Sequence, residues 1–388
     1  MGYRCLNFYF IGGTLARQQK VRVGGLSSDD IRKMLNKGSG SKVAFSLKDE
    51  NPSDVKEWVS TGSRWLDGII CKGKLAGIPL GKIVEIAGLE STGKSYMAAQ
   101  IAANAQKKGL KVVYFDSESA IDSEFLQKTG VCLDDLIYVQ AETVEFVLEA
   151  VEKIISQEEK VFFIWDSVAN TPCKSDADGD FNPQSSMAVK ARVLSKGMKK
   201  LVIPLANADS TILALNQLKT NISNNTADIL LNPHVTPGGK ALPYAYSLRI
   251  WLYPRRAKKS YIMDEKGYRI GSEVKARIKK SRFGTEGREC AFKILWGTED
   301  AVIQDEQSWL DAVKSSEHID QKGAWYILTH KDGSEQKFQS SKWLELLAED
   351  KFRSRILEIM DEEVIQKFSS REGDATAFYD VNQGAEDE

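Results

Sequence analysis

The sequence has 388 residues, of which 42% are hydrophobic and 28% are charged, and its formal net charge is −1. A chain of this length can bury one large core and a small second one, so we expect two domains. The near-neutral charge excludes a generally basic nucleic-acid binder, and any DNA affinity must come from a local patch. No apolar run is long enough to span a bilayer, so no membrane association is expected.

The cysteines indicate a reducing compartment. They are far apart in the sequence and form no C-x-x-C pair, which argues against both a zinc site and a disulfide framework. The five are Cys5, Cys71, Cys132, Cys173 and Cys290. We therefore expect a cytoplasmic protein.

The first 60 residues are predicted to form an N-terminal arm with an oligomerisation helix. Ser28, Asp29 and Asp30 would cap a short amphipathic helix that ends at Leu35, and residues 42–47 would be extended. Residues 61–300 alternate short β-type runs with helical patterns, which is typical of a mostly parallel sheet with crossover helices. The predicted parallel strands are residues 83–87, 111–116, 161–166 and 211–216. Ligands bind at the carboxyl ends of such strands.

The later part of the chain changes character. Short alternating runs at 246–253, 262–270, 273–279 and 291–296 predict antiparallel strands that extend the sheet, and the run 262–270 contains a turn at 264–267. Residues 301–370 are predicted to form a small α+β domain with helices near 341–349 and 354–368. Residues 371–388 are acidic and aperiodic, which predicts a disordered tail. The expected fold class is therefore α/β, a mostly parallel twisted sheet extended by antiparallel strands, with an arm and a small C-terminal domain.

Residues 88–95 read Gly-Leu-Glu-Ser-Thr-Gly-Lys-Ser and lie between an apolar run and an Ala-rich helical stretch. This pattern predicts a phosphate-binding loop for a nucleoside triphosphate. Glycines let backbone N–H groups turn onto the phosphates, Lys94 reaches the β and γ oxygens, and Ser95 offers its hydroxyl to Mg²⁺. The alternative is a chance match in a surface turn. The predicted nucleotide-binding residues of this segment are Gly88, Glu90, Ser91, Thr92, Gly93, Lys94, Ser95 and Tyr96.

Two further carboxylates end predicted core strands. Asp166 closes the run 161–166, where an acidic group for the Mg²⁺ shell is required. The alternative for Asp166 is an N-cap of the next segment, and the two roles are compatible. Glu118 follows the strand 111–116 and is the candidate general base for the water that attacks the γ-phosphate. Taken alone, an Asp-x-Glu at a strand end also fits a solvated turn.

Several motifs in a fixed order carry a resemblance to a known family. They are Thr61-Gly-Ser63, the phosphate loop, Tyr114-Phe-Asp-Ser-Glu118, Trp165-Asp-Ser167, Leu215-Asn-Gln217 and Thr236-Pro-Gly-Gly-Lys-Ala241. From about Ser28 to about Phe368 the chain resembles the bacterial RecA recombinase family, whose core is a P-loop ATPase. The triplet Lys280-Ser-Arg282 looks more like the phage UvsX branch of that family.

The resemblance implies roles for individual residues. Glu118 matches the catalytic glutamate, and Gln217 matches the sensor that passes the state of the γ-phosphate to the adjoining DNA loop. Asp122 and Phe125 match adenine contacts. The resemblance also implies that Lys280 and Arg282 reach across a subunit interface to a neighbour's γ-phosphate, in the manner of an arginine finger.

The resemblance implies two DNA-binding loops, at about 171–187 and 218–239. The candidate DNA-binding residues are of three kinds. The cations Arg192, Lys199 and Lys219 would face phosphates, Gly238 and Gly239 would allow close backbone approach, and Met187 and Ile222 would be apolar wedges between bases. Considered alone, Arg192 and Lys199 also fit a solvated helix face, and Met187 and Ile222 also fit local packing. Acidic residues at 176, 178 and 180 in the first loop indicate modest DNA affinity per subunit.

Other positions match family interfaces. Residues 42–47 would dock on a neighbouring subunit and Tyr244 would be an interface aromatic, while a plain core strand and a core tyrosine stay open as alternatives. In the C-terminal domain Trp325 is expected in the core. Nearby lysines that could gather duplex DNA are Lys322, Lys331, Lys337 and Lys342.

The expected function is that of an ATP-dependent homologous recombinase with Mg²⁺ as cofactor. The resemblance implies a helical filament on single-stranded DNA that pairs with homologous duplex DNA, assisted by a single-strand binding protein and a recombination mediator. Two alternatives stay open. One is a hexameric DNA helicase on the same core, which would need a further domain, and the other is a regulatory ATPase without DNA function, which would usually repeat the core.

Overall fold

The computed structural model describes residues 26–39, 42–48, 51–119, 121–157, 159–177, 186–222, 226–239, 242–254, 261–296 and 302–365. The chain divides into two compact units, Met1–Asp54 and Val55–Glu388. Met187 is described in its backbone only, and the predicted tail at 371–388 lies outside the described residues. The finer division into arm, core, small domain and tail stays a prediction.

The helices are α1 (Ser28–Ser39), α2 (Arg64–Ile70), α3 (Lys94–Lys107), α4 (Ser123–Lys128), α5 (Val144–Ile155), α6 (Lys174–Ala177), α7 (Ser186–Asn207), α8 (Thr226–Leu231), α9 (Leu242–Ala245), α10 (Trp309–Val313), α11 (Trp343–Leu347) and α12 (Asp350–Ile359). Short 3-10 turns lie at Glu306–Ser308 and Ser340–Lys342, and a π-helical turn lies at Met360–Ile365.

The strands are β1 (Trp58–Val59), β2 (Ile78–Pro79), β3 (Ile83–Gly88), β4 (Lys111–Asp116), β5 (Leu136–Gln140), β6 (Val161–Asp166), β7 (Thr211–Gln217), β8 (Lys219–Thr220), β9 (His234–Val235), β10 (Leu248–Pro254), β11 (Tyr261–Met263), β12 (Arg269–Ser281), β13 (Glu289–Leu295), β14 (Ile303–Gln304), β15 (Ile319–Lys322), β16 (Trp325–Thr329) and β17 (Glu335–Gln339).

In the first unit, α1 is longer than predicted and begins with a different cap. The N–H of Asp30 donates to Ser27 Oγ at 3.1 Å, so Ser27 caps the helix instead of Ser28. The predicted extended segment 42–47 forms no strand among the described residues. The N–H groups of Val43 and Ala44 donate instead to Asn36 Oδ1, at 2.8 and 2.7 Å, which satisfies them without a sheet partner.

The main sheet confirms the expected fold class. Its order is β14-β13-β12-β10-β3-β7-β6-β4-β5, and β11 pairs with β12. All pairings from β10 through β3, β7, β6 and β4 to β5 are parallel. Those among β10 to β14 are antiparallel. The four predicted parallel strands are confirmed to within one residue at each end, because each is a mainly apolar run that ends in a polar or glycine residue.

Helices cover both faces of the parallel strands. Val112 packs in the cluster that contains Met97 and Ile101 of α3. The next residue, Val113, packs in the cluster that contains Val147 of α5 and Met198 of α7. Successive side chains of a strand point to opposite faces, so a strand buried on both sides is apolar along most of its length.

The antiparallel strands differ from prediction in one respect. The run predicted at 262–270 is divided by its predicted turn into β11 and the start of β12, and β12 then continues through the run predicted at 273–279 to Ser281 without a break. Gly271 lies between the two predicted runs, and a Cβ at this position would be 2.6 Å from Ile294 O of β13. The glycine therefore permits close approach of the paired strand.

The C-terminal residues have their own hydrophobic core beside a three-stranded sheet of β15, β16 and β17. Phe338, Trp343 and Phe352 pack there with ring centroids 5.3 to 5.8 Å apart. The prediction that Trp325 is a core residue is wrong, because its side chain is 41% exposed and lies under Lys337 Nζ at 4.6 Å. Within the described ranges, no helix combines the length and apolar composition needed to cross a bilayer.

Asp67 of α2 is a buried carboxyl group whose ionisation opposes folding. It accepts hydrogen bonds from the Ser60 hydroxyl at 2.6 Å and from the Thr61 hydroxyl at 2.6 Å. Burial raises the pKa of Asp67 from 3.8 to about 6, and the nearby Asp305 contributes in the same direction. The stabilisation of the protonated form is complete below pH 3.8 and is lost as the pH rises through about 6.

We expect Asp67→Asn to remove this pH dependence. The free energy of unfolding of the variant should rise relative to wild type by about 2 kcal/mol between pH 4 and pH 7. Urea denaturation followed by tryptophan fluorescence at several pH values measures the difference. Asp134→Asn, at an exposed position, is the control and should follow wild type. Parallel pH profiles for Asp67→Asn and wild type would contradict the assignment.

Candidate functional site

The parallel register brings the carboxyl ends of four strands to one edge of the sheet. Gly88 at the end of β3 pairs with Gln217 at the end of β7. Asp116 at the end of β4 pairs with Asp166 at the end of β6. The predicted phosphate loop follows β3 directly, so the loop and the strand-end side chains meet at the same edge.

The loop has the backbone geometry of an anion site. Gly93, directly before α3, has a left-handed φ of +79°, and no side-chain hydrogen bond from the described residues caps the helix there. The first N–H groups of α3 are therefore available to an anion. A Cβ on Gly88 would lie 2.4 Å from Thr92 Oγ1, so the loop requires glycine at this position. These features fit a triphosphate.

Lys94 is folded back onto its own loop. Its Nζ donates to Gly88 O at 3.3 Å and to Leu89 O at 2.9 Å. Burial lowers the pKa of Lys94, and the negative charges of Asp166 and Glu118 oppose that shift. The ammonium group is thus held in place by backbone carbonyls among acidic neighbours.

Asp166 joins the loop to the sheet. Its Oδ2 accepts hydrogen bonds from Ser95 Oγ at 2.8 Å and from the buried Tyr114 hydroxyl at 2.9 Å. Burial raises the pKa of Asp166, and these two hydrogen bonds oppose the shift. Among the described residues no group of three or more His, Cys, Asp or Glu side chains could hold a metal. The Ser95 and Asp166 pair fits Mg²⁺, which commonly takes its remaining ligands from phosphates and water.

Glu118 extends from a turn that Asp116 shapes. Asp116 Oδ1 accepts the N–H groups of Glu118 and Ser119 at 2.8 and 2.9 Å. Glu118 Oε1 accepts hydrogen bonds from Ser167 Oγ at 2.9 Å and from Asn170 Nδ2 at 2.6 Å. A carboxylate fixed in this way can act as a general base on a water molecule in the adjoining cavity.

One cavity of about 510 Å³ unites these groups, a volume within the range of small-molecule sites. Its lining residues are Glu90, Ser91, Thr92, Gly93, Lys94, Ser95, Tyr96, Glu118, Asp166, Gln217, Arg269 and Trp296. Most of the residues predicted from the phosphate-loop segment and the strand ends therefore line a single space.

Sequence reasoning missed Arg269 and Trp296, which come from the antiparallel strands and precede no recognisable motif. The ring of Trp296 lies 5.9 Å from that of Tyr96. The Arg269 guanidinium lies 5.1 Å from the centre of the Trp296 ring and 4.0 Å from that of Tyr261. The sequence signal that could have identified Trp296 as a cavity residue was its position as an aromatic residue at the end of the strand predicted at 291–296.

Asp122 and Phe125, the expected adenine contacts, are not among the residues that line the cavity. Asp122 Oδ1 caps α4 by accepting the Phe125 N–H at 2.7 Å. The Phe125 ring packs edge-on against Tyr96 at 4.7 Å. Phe125 therefore packs against a residue of the cavity wall, and the role of both residues at the base stays a prediction.

Gln217 lines the cavity from the end of β7, next to a buried polar network. The side-chain amide of Asn216 donates to Glu85 Oε1 at 3.0 Å. Arg249 donates from Nε to Glu85 Oε2 at 2.6 Å and from Nη2 to Thr236 Oγ1 at 2.9 Å. The network ties the end of β7 to the chain at Thr236, inside the second predicted DNA loop.

Lys280 and Arg282 lie apart from the cavity of this chain. Lys280 Nζ donates to Pro243 O at 2.7 Å and to Tyr246 O at 2.8 Å. Arg282 Nη2 donates to Tyr244 O at 3.2 Å. The alternative that Tyr244 is a core residue is wrong, because its side chain is 73% exposed.

The predicted DNA-binding positions lie mostly on the surface. Arg192 and Lys199 are exposed on α7, and Lys219 is exposed on β8. Ile222 is 91% exposed, so local packing does not explain this isoleucine. The side chain of Met187 lies outside the described residues.

Gly238 and Gly239 have left-handed φ values of +106° and +81°. A Cβ on Gly238 would lie 2.4 Å from Leu242 Cδ2, and one on Gly239 would lie 2.9 Å from Ala191 Cβ. Both positions therefore require glycine for packing and backbone conformation. Close approach to DNA stays a prediction for them.

Comparison with known proteins gives consistent matches. Residues 27–300 match the RecA N-terminal domain family. The chain is 31% identical to the RecA protein of Mannheimia haemolytica over 327 residues, which cover 84% of this chain and 83% of the relative. It is 32% identical to that of Fusobacterium nucleatum over 298 residues, covering 76% and 74%. For Wolbachia sp. subsp. Drosophila simulans the identity is 32% over 268 residues, covering 69% and 72%.

We expect Asp166→Asn to weaken the Mg²⁺-dependent part of nucleotide binding. Loss of the carboxylate charge should weaken binding of MgATP by roughly tenfold or more, while binding of metal-free ATP stays close to wild type. Titration with a fluorescent ATP analogue, with Mg²⁺ and with EDTA, measures both. Asp320→Asn, at an exposed position, is the control. An Asp166→Asn variant with wild-type Mg²⁺ dependence would overturn the metal assignment.

Proposed function

This chain belongs to the RecA family, and we propose that it forms helical filaments on single-stranded DNA that pair with homologous duplex DNA. The chain is a RecA-type recombinase and a DNA-dependent ATPase. The observation that carries the proposal is the single cavity in which the phosphate loop meets Glu118, Asp166 and Gln217. A cavity with these groups has the parts that phosphoryl transfer to water requires.

The nucleotide would be held mainly by the backbone of residues 88–95 and by Lys94. Ser95 and Asp166 would hold Mg²⁺, which supplies neutralisation of phosphate charge when it is bound. Glu118 would accept a proton from the attacking water. Gln217 would respond to the γ-phosphate and transmit that state to the second DNA loop, which Arg249 ties to the end of β7.

Lys280 and Arg282 would complete the site of a neighbouring subunit. Their cationic groups lie outside the cavity of their own chain, beside the exposed Tyr244. A cation supplied across an interface stabilises the negative charge of the transition state, so hydrolysis would depend on assembly. Residues 42–47 would form a further contact in the same interface.

DNA would bind at the two loops around 171–187 and 218–239. Arg192, Lys199 and Lys219 would face phosphates, and Met187 and Ile222 would insert between bases. Cooperative assembly would compensate for the acidic first loop. Gly238 and Gly239 would let the second loop approach the backbone of the strand.

The finer assignments rest on the family resemblance. A single-strand binding protein and a recombination mediator would assist loading in the cytoplasm of a bacterial or phage-infected host, and the chain would belong to the UvsX branch. The lysines of the C-terminal part would gather duplex DNA. The alternatives of a hexameric helicase and a regulatory ATPase are not favoured, since the relatives covering most of the chain are RecA proteins.

ATP hydrolysis with and without DNA tests this function. For wild type we expect strong stimulation by single-stranded DNA that rises cooperatively with protein concentration. Arg282→Ala should keep nucleotide binding but lose most stimulated turnover, by roughly a thousandfold if it acts as an arginine finger. Arg277→Ala, five residues earlier on β12, is the control. Undiminished turnover of Arg282→Ala would refute the cross-subunit role, and DNA-independent wild-type turnover would refute the recombinase function.

Glu118→Gln tests the general base. The amide keeps the shape of the side chain but cannot accept a proton, so turnover should fall by about a hundredfold or more. Filaments formed with ATP should then persist on DNA, which electron microscopy and a fluorescent-DNA dissociation assay can measure. Glu124→Gln, on exposed α4, is the control. Disassembly of Glu118→Gln filaments at the wild-type rate would argue against this role.

A further inference from the structure

We propose that Asn170 is a positioning residue for hydrolysis, which orients the Glu118 carboxylate toward the attacking water. This inference rests on the proposed function, in which Glu118 is the general base. Asn170 carries no role in the family motifs described above. Its side-chain amide nevertheless makes one of the shortest hydrogen bonds to a group of the cavity, 2.6 Å from Nδ2 to Glu118 Oε1.

Two donors meet the same carboxylate oxygen. Ser167 Oγ also donates to Glu118 Oε1, at 2.9 Å. Oε2 accepts no hydrogen bond from the residues that the structure describes. A carboxylate held through one oxygen keeps its other oxygen free for a water molecule, and its plane is fixed by the two donors. The pair therefore sets which oxygen acts as the base.

The backbone that presents Asn170 is well held. The N–H groups of Asn170 and Thr171 both donate to Ser167 O, each at 3.2 Å. The Thr171 hydroxyl donates to the same carbonyl at 2.9 Å and accepts the indole N–H of the buried Trp165 at 2.8 Å. The turn after β6 is thus anchored in the core, and it can fix a side chain that is itself exposed.

The other groups around Glu118 do not fix its orientation. Lys94, Asp166 and Tyr114 interact with its charge through space. Lys94 Nζ, however, donates to carbonyls of the phosphate loop, and the hydrogen bonds described for Asp166 and Tyr114 go to other partners. Among the described side chains, Asn170 and Ser167 are the ones that donate to the Glu118 carboxylate.

Asn170→Ala and Asn170→Asp test the role with a matched pair. Aspartate has the shape of asparagine, but it lacks the N–H donor and places a second negative charge beside Glu118, so a wild-type kcat in this variant would exclude a donor role. We expect kcat to fall roughly tenfold in Asn170→Ala, as for a lost hydrogen bond to a charged group. It should fall at least as far in Asn170→Asp. KM for ATP and the affinity for single-stranded DNA should stay within about twofold of wild type.

A second measurement combines each variant with Glu118→Gln. If Asn170 acts through Glu118, the double variant should be no slower than Glu118→Gln alone. Asn104→Ala is the control, because Asn104 Nδ2 donates to Ser60 O at 3.0 Å away from the cavity. It should keep wild-type kcat and KM.

The outcomes separate this inference from the proposed function. Wild-type kcat in Asn170→Asp, or an additive loss in the double variant, overturns the positioning role while the recombinase stands. Wild-type turnover in Glu118→Gln overturns both the general base and the positioning role. Absence of DNA stimulation in the wild-type chain overturns the function, and the kcat comparison can still be made on the basal activity.

Discussion

Because β3, β7, β6 and β4 pair in parallel, their last residues reach one edge of the sheet, and the contact between the phosphate loop and the strand-end side chains depends on that alignment. A shift of one residue in a strand would move its side chains to the opposite face. Alternate side chains of these strands pack in two different helix-covered clusters, so such a shift would disrupt close packing on both faces. The hydrophobic core thus fixes the spacing between the phosphate loop and the strand-end carboxylates.

Local patterns predicted the parts of the fold that local chemistry determines. The bounds of β4 and β6 follow from apolar runs that stop at an aspartate, and the phosphate loop follows from its glycines and its lysine. Contacts between distant segments could not be predicted in the same way. Trp296 reaches the cavity because β13 pairs with β12. The residues near Trp296 do not indicate which strand β13 pairs with, so its place at the cavity could not be predicted. The family resemblance predicts Trp325 in the core, but the pleat of β16 leaves it at the surface.

A buried ion pair of Glu85 and Arg249 lies next to the end of β7, where Gln217 enters the cavity. Glu85 is fully buried and its carboxylate is shared by Arg249 and Asn216, so the cost of removing charge from water is offset by several hydrogen bonds. Such a network tolerates few rearrangements, because loss of one partner leaves another polar group unsatisfied. It supports the end of β7, where Gln217 enters the cavity, and it also holds Thr236. The same side chains therefore hold the end of β7 rigid and attach the second predicted DNA loop to it.

Asp305 joins the C-terminal part to the start of α2. Its Oδ2 accepts both the Ser63 hydroxyl and the Trp65 N–H, each at 3.0 Å, while Ser63 Oγ itself caps α2 through the Leu66 N–H. Further along the same helix, a Cβ on Gly68 would lie 3.4 Å from the Ile365 side chain. A shortened chain that ended near residue 300 would lose the acceptor at one end of α2 and the apolar cover at the other. Cutting the protein at the domain boundary predicted near residue 300 would therefore expose part of the core.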